Sequence, residues 1–235
     1  MTQIRALLFD TFGTVVDWRG SLIDELTAFG QTRGISADWV GLVDAWRAAY
    51  KPSMDQVRSG AVPWMTLDAL HRAALDRLVH DRGIKGLTEA DRVEINLGWH
   101  RLRPWPDSVP GLTRLHSRFV LGPLSNGNVA LLVDMARNAG LPWDMVFGSD
   151  VSRHFKPDPE AYLAACHLLS LEPGQVMLCA AHNDDLAAAQ ALGLRTAFIA
   201  RPTEHGPHQH SDLEATGAWD YATQDMGDLA DQLGA

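Results

Sequence analysis

Cysteine is scarce in this chain of 235 residues: Cys166 and Cys179 are the only two. They stand too far apart for a Cys-x-x-Cys motif, and apolar neighbours surround both. Buried thiols are therefore expected, rather than a disulfide framework or a thiolate metal site. Positive charge is also short, with 20 Lys and Arg against 29 Asp and Glu and a net charge of −9. That balance disfavours non-specific nucleic-acid binding and attraction to anionic membranes, so neither is expected as a partner. An anionic ligand would need cations placed specifically for it. No apolar run approaches the roughly 20 residues of a membrane span. The first apolar run ends in Asp10 and Gly13 rather than at a small-residue cleavage site, so no signal peptide is read and a cytoplasmic location is expected. Repeats and low-complexity segments are missing too. What remains is an ordinary globular composition, 46% hydrophobic and 21% charged, at a length suited to one large domain or a domain plus an insertion.

The rest of the chain is organised around that first run, Ile4-Arg5-Ala6-Leu7-Leu8-Phe9, and the Asp10-Thr11-Phe12-Gly13-Thr14 that follows it. The run reads as a buried parallel strand with a carboxylate at its end and a glycine to turn the chain. Ligands in open α/β sheets bind outside the carboxyl ends of strands, which places Asp10 to meet one. From about Val16 to Pro106 the pattern is helical. Helices are expected over 21–32, stopped by Gly34, from a cap at Asp38 to about Pro52, over 65–80, and from a Thr88/Asp91 capping box. Arg103-Pro104-Trp105-Pro106-Asp107 reads as a hinge. Beyond Leu112, strands over 119–124, 145–148, 176–180 and 196–199 alternate with helices over 129–138, 159–169 and 184–192. That alternation means βαβ units and a parallel sheet. A short edge strand near 219–221 and a last helix around 226–233 complete the pattern.

Polar residues end every expected core strand: Asp10, then Ser125-Asn126-Gly127, then Ser149-Asp150, then His182-Asn183-Asp184-Asp185. A parallel sheet carries all of these to one rim, and Lys156 lies in a loop leaving the same rim. A cation there can keep Asp10 ionised and hold a substrate anion. Each residue alone could be a cap or a solvated loop group; five polar segments converging on one rim point to a site. The helical insertion could cover that site and exclude water from it.

The segments Asp10-Thr11-Phe12-Gly13-Thr14, Leu124-Ser125-Asn126-Gly127, Lys156-Pro157-Asp158 and the stretch at Asp185 resemble the four motifs of the haloacid dehalogenase superfamily. The resemblance spans essentially the whole chain. It implies a Rossmann-like α/β parallel-sheet core, residues 1–15 and 107–235, with an inserted helical cap, residues 16–106, and a nucleophilic Asp10. Most of that superfamily is phosphatases, which carry a second Asp where this chain has Phe12 and another where it has Ala181. The Phe12 side chain can neither donate a proton nor ligate Mg²⁺. Halide needs no protonation, so the pattern resembles the (S)-2-haloacid dehalogenase branch, acting on a small haloacid without metal or cofactor. The resemblance further implies that Thr14 hydrogen-bonds the nucleophile and that Lys156 and Asp185 are catalytic. The pair Trp46-Arg47 is implied for substrate and halide binding, with Arg47 holding the halide. Ser125, Asn126, Phe12 and Tyr162 join it as substrate or halide contacts. Where the branch has Ser-Ser-Asn, this chain has Ala180-Ala181-His182, so His182 is expected to position the hydrolytic water and act as a base. His205, His208 and His210 read as a solvated loop. A Mg²⁺-dependent phosphatase and a non-catalytic binding relative are the alternatives. A homodimer is among the states the sequence allows.

Overall fold

A computed structural model describes residues 3–235. The first run forms β1 (Ala6–Phe9), every residue of it fully buried. After a tight loop the chain makes β2 (Val16–Asp17) and enters a helical segment. That segment comprises α1 (Trp18–Arg33), α2 (Trp39–Ala48), α3 (Tyr50–Arg58), α4 (Leu67–Asp81) and α5 (Glu89–Asn96). A 3₁₀ turn (Leu97–Arg101) leads to β3 (Arg103–Pro104), which pairs antiparallel with β2. The helical segment therefore leaves and rejoins the sheet domain through one two-residue ribbon. Its ends are capped as the residue types dictate. Asp38 accepts from the Gly41 N–H, Thr88 and Asp91 form the reciprocal box, and Gly34 takes the left-handed conformation.

The remaining elements are α6 (Ser108–His116), β4 (Val120–Pro123), α7 (Val129–Ala139), α8 (Ser149–Ser152), α9 (Pro159–Leu169), β5 (Val176–Ala180), α10 (Asn183–Ala191), β6 (Arg195–Ile199), β7 (Tyr221–Thr223) and α11 (Met226–Gln232). The five long-range strands pair in the order β4-β1-β5-β6-β7, all parallel. The sheet is apolar on both faces. Leu7, Phe9, Met177 and Cys179 pack into one core layer, and Ala6, Leu8, Val176, Leu178 and Ala180 into the other. Both cysteines are free and buried. No helix among the described residues is long and apolar enough to cross a membrane.

Three expectations need correction. Residues 145–148 form no strand; they make one bridge, Phe147 to Leu124, beside β4. Pro123 brings no N–H to that edge, so a regular ladder cannot extend along it. The helix that starts at Trp39 does not run as far as Pro52, the residue expected to end or kink it; the break comes at Ala49. That helix stops at Ala48, and Pro52 lies in the first turn of α3, where a missing N–H leaves no intrahelical bond unmade. The edge strand forms over Tyr221–Thr223, slightly beyond the expected span.

Candidate active site

Asp10 follows β1 directly, and its backbone N–H still donates to the Cys179 carbonyl at 3.0 Å. The carboxylate thus stands at the carboxyl rim, between the ends of β4 and β5. Each of its oxygens is held. Lys156 Nζ donates to Oδ1 at 3.1 Å, Thr14 Oγ1 donates to Oδ2 at 3.0 Å, and His182 Nδ1 lies 3.2 Å from Oδ2. Thr14 in turn accepts from the Ala181 N–H at 2.9 Å, which ties the loop after β1 to the end of β5. Burial alone would raise the Asp10 carboxyl. The Lys156 charge, with the hydrogen bond and charge of His182, instead holds it well below the usual carboxylate range.

Lys156 is shared with Asp185, whose Oδ2 accepts from Nζ at 2.5 Å while Oδ1 accepts from Tyr162 at 2.6 Å. Burial would lower the ammonium, but the two carboxylates hold it above its ordinary value. Burial and the like charge of Asp10 push Asp185 up, against the pull of Lys156. The Asn126 side-chain oxygen accepts from the Lys156 backbone N–H at 2.7 Å, locking the lysine loop to the loop after β4.

These groups open into a cavity of about 660 Å³. Asp10, Phe12, Arg47, Asn126, Lys156, Tyr162, His182 and Asp185 all line it. The guanidinium of Arg47 lies 4.3 Å from the centre of the Tyr50 ring and 5.2 Å from that of Trp18. Its buried Nη1 has no hydrogen-bond partner. Phe12 is packed edge-on against Tyr50 and Trp99. Asp44, Asp55, Asp184 and Asp212 also line the cavity, as does Lys51, and of these Asp44 is paired with Arg19 and Asp55 with Lys51 and Arg58.

Two expected site residues lie elsewhere. Trp46 does not line the cavity: it is fully buried and donates its indole N–H to the His71 carbonyl at 2.8 Å. It supports α2 from behind. The Ser125 hydroxyl is buried outside the cavity lining and accepts from the Gly127 N–H at 3.2 Å, shaping its own loop. Asp150 serves as a cap, accepting from the Val129 N–H at 3.0 Å.

Sequence reasoning also missed residues. Glu204, in the loop after β6, is only 1% exposed. Its Oε1 accepts from the Trp18 indole at 3.0 Å, and its Oε2 lies 2.8 Å from His182 Nε2. His205, assigned above to a solvated loop, lines the cavity edge-on to Trp18. Tyr50 stacks on Arg47. The usable signals were that β6 also ends at this rim and that Tyr50 follows Arg47 at helical spacing. His182, Glu204 and His205 bring donor atoms within 4.8 Å of one another. A metal there would compete with the bonds Glu204 already makes and face Arg47, which is 3.8 Å from Glu204.

Residues 4–193 match the family model of haloacid dehalogenase-like hydrolases. The chain belongs to this family. Among other haloacid dehalogenase-like proteins, the crystal structure of an L-2-haloacid dehalogenase is 54% identical, with a TM-score of 0.96 over 98% of this chain and 99% of that one. A defluorinating L-2-haloacid dehalogenase is 53% identical, again with a TM-score of 0.96, over 99% and 96%. (S)-2-haloacid dehalogenase 1 of Pseudomonas sp. (strain CBS-3) is 27% identical over 228 residues, 89% of this chain and 92% of its own length.

Proposed function

We propose that this haloacid dehalogenase-like hydrolase converts short (S)-2-haloalkanoic acids to (R)-2-hydroxy acids through an ester on Asp10. One observation carries the reading. An ionised Asp10 shares its cavity with a guanidinium that has an unpartnered buried donor, while Phe12 and Ala181 stand where a phosphatase needs carboxylates. A buried donor without a partner is what a bound anion would satisfy.

In the first step the Asp10 carboxylate attacks C2 of the substrate from the side opposite the halogen. A carbon–oxygen bond forms, and the carbon–halogen pair leaves as halide with inversion at C2. Arg47 and Asn126 stabilise the halide. Lys156 and the backbone N–H of Asn126 hold the substrate carboxylate, since the Ser125 and Gly127 N–H groups are bonded to the Phe147 carbonyl and the Ser125 hydroxyl. In the second step water activated by Asp185 attacks the ester carbonyl carbon, beside His182, and frees the hydroxy acid. Thr14 keeps the Asp10 side chain in one rotamer for both. The helices between Val16 and Pro106 act as a cap that supplies Arg47 and Tyr50 and keeps bulk water off the ester.

A panel of short 2-haloacids assayed for halide release, with and without EDTA, tests this. Halide release is expected to be unchanged by the chelator, with no hydrolysis of generic phosphate esters. Mg²⁺-dependent phosphate release at ordinary enzymatic rates would overturn the reading.

A further inference from the structure

The two ring nitrogens of His182 both face carboxylate oxygens: Nδ1 lies 3.2 Å from Asp10 Oδ2 and Nε2 lies 2.8 Å from Glu204 Oε2. An ionised carboxylate only accepts hydrogen bonds, so a ring between two of them is satisfied only with a proton on each nitrogen. Such a ring is a cation and cannot take a proton from water. The two oxygens of Asp10 also differ. Oδ2 already has Thr14 and His182, whereas Oδ1 has Lys156 alone. Oδ1 is therefore the freer oxygen to attack carbon, and Oδ2 becomes the carbonyl oxygen of the ester. The negative charge that develops when water adds to that carbonyl then falls on Oδ2, in front of His182 Nδ1–H and the Thr14 hydroxyl.

We propose that Glu204 is a positioning residue that holds His182 as an imidazolium, and that His182 acts in ester hydrolysis by stabilising the oxyanion on Asp10 Oδ2 while Asp185 serves as the base. The proposal rests on the dehalogenase reading. Water oxygen bonds to the Asp10 carboxyl carbon, one water proton passes to Asp185, and the carbonyl pair moves onto Oδ2. Collapse of that intermediate breaks the bond from the carbon to Oδ1. The departing alkoxide takes the proton from Asp185, and the Asp10 acid then ionises to solvent.

The surroundings of His182 support this division. Glu204 is buried and fixed by the Trp18 indole; the Glu204 charge, with Asp10, outweighs burial and raises the imidazole well above its ordinary value. Opposing charges near the ring are Arg47 from α2, Lys156 from the loop before α9 and, when protonated, His205 from the loop after β6. Asp184 and Asp185 follow on its own helix. Asp185, raised by burial, is the better base.

Hydrolysis of the ester is followed by quenching enzyme with substrate and weighing the Asp10 peptide, from pH 5.5 to 9.5. In Glu204→Gln the amide keeps the shape and loses the charge. Hydrolysis should fail on the alkaline side, its basic limb moving down by about one pH unit or more. Ester should accumulate at pH 9, and the rate should return toward wild type near pH 5.5. His182→Gln should accumulate ester at every pH. A basic limb unmoved in Glu204→Gln, or an acidic limb that moves instead, would overturn the proposal. If the variant does not fold, the ¹⁵N side-chain spectrum of wild-type histidines decides, with His182 assigned through His182→Gln. Both nitrogens of His182 should be protonated at pH 8, and a neutral ring there would overturn the proposal. Failure of wild-type enzyme to release halide would instead sink the dehalogenase reading, without touching the charge state that the spectrum reports.

Discussion

Gly13 and Glu204 occupy one space: a Cβ on Gly13 would overlap the Glu204 carboxyl group. Gly13 also takes a φ of +91°, which side chains rarely adopt. The turn that presents Asp10 and the carboxylate that holds His182 are thus built against each other. Gly13→Ala should lower stability by about 2 kcal/mol or more, read by urea denaturation. It should also slow ester hydrolysis by displacing Glu204. Unchanged stability would show that the turn and the carboxylate are independent.

Arg47 carries the second prediction. A halide leaving in a dry pocket needs a paired cation, so Arg47→Ala should lower kcat by more than about a hundredfold. Arg47→Lys should restore it only in part, because a point charge cannot stack on Tyr50 and Trp18 as the planar group does. Near-wild-type kinetics in Arg47→Ala would assign the halide to another residue.

The origin of the product oxygen tests Asp10. With enzyme in excess in ¹⁸O-water, one turnover should give unlabelled hydroxy acid and a labelled Asp10 peptide. Many turnovers should label the product. Label in the first product, with none on Asp10, would make Asp10 a base that directs water at C2.

His100 joins the helical segment to the sheet domain, with Nε2 3.1 Å from Asp68 and Nδ1 2.8 Å from Asp134 on α7. Burial would lower the ring, but hydrogen bonds to both carboxylates raise it above its ordinary value. The stabilisation is complete below the unfolded value of about 6.5 and fades as pH rises through the higher folded one. The Tm difference between wild type and His100→Gln should therefore be largest near pH 5.5 and shrink toward pH 9. A difference that grows with pH would reverse the assignment.

The parallel sheet and its rim were legible because buried strands are short apolar runs and each ends in polar residues. Asp10 and Asp185 could be placed together from that rule, and Lys156 from the loop that leaves the same rim. Residues 145–148 misled because their composition suits a strand while Pro123 beside them limits the ladder. Glu204 and His205 were hidden for a different reason. They sit in a Gly- and Pro-containing loop whose composition reads as solvated, and it is the packing of Trp18, Gly13 and His182 against it that buries the carboxylate. Trp46 shows the converse. Its neighbour Arg47 points to the cavity, but one step along a helix turns a side chain by about 100°, and Trp46 faces the interior.

The aspartates lining the cavity set the traffic through it. Asp44, Asp55, Asp184 and Asp212 surround a site whose substrate is an anion, in a chain already carrying −9. Arg19 pairs with Asp44, and Arg58 and Lys51 with Asp55, so what repulsion the wall exerts comes mainly from Asp184 and Asp212. In the proposed reaction each haloacid admitted becomes two anions, a halide and a hydroxy acid. That repulsion opposes one anion on the way in and favours two on the way out.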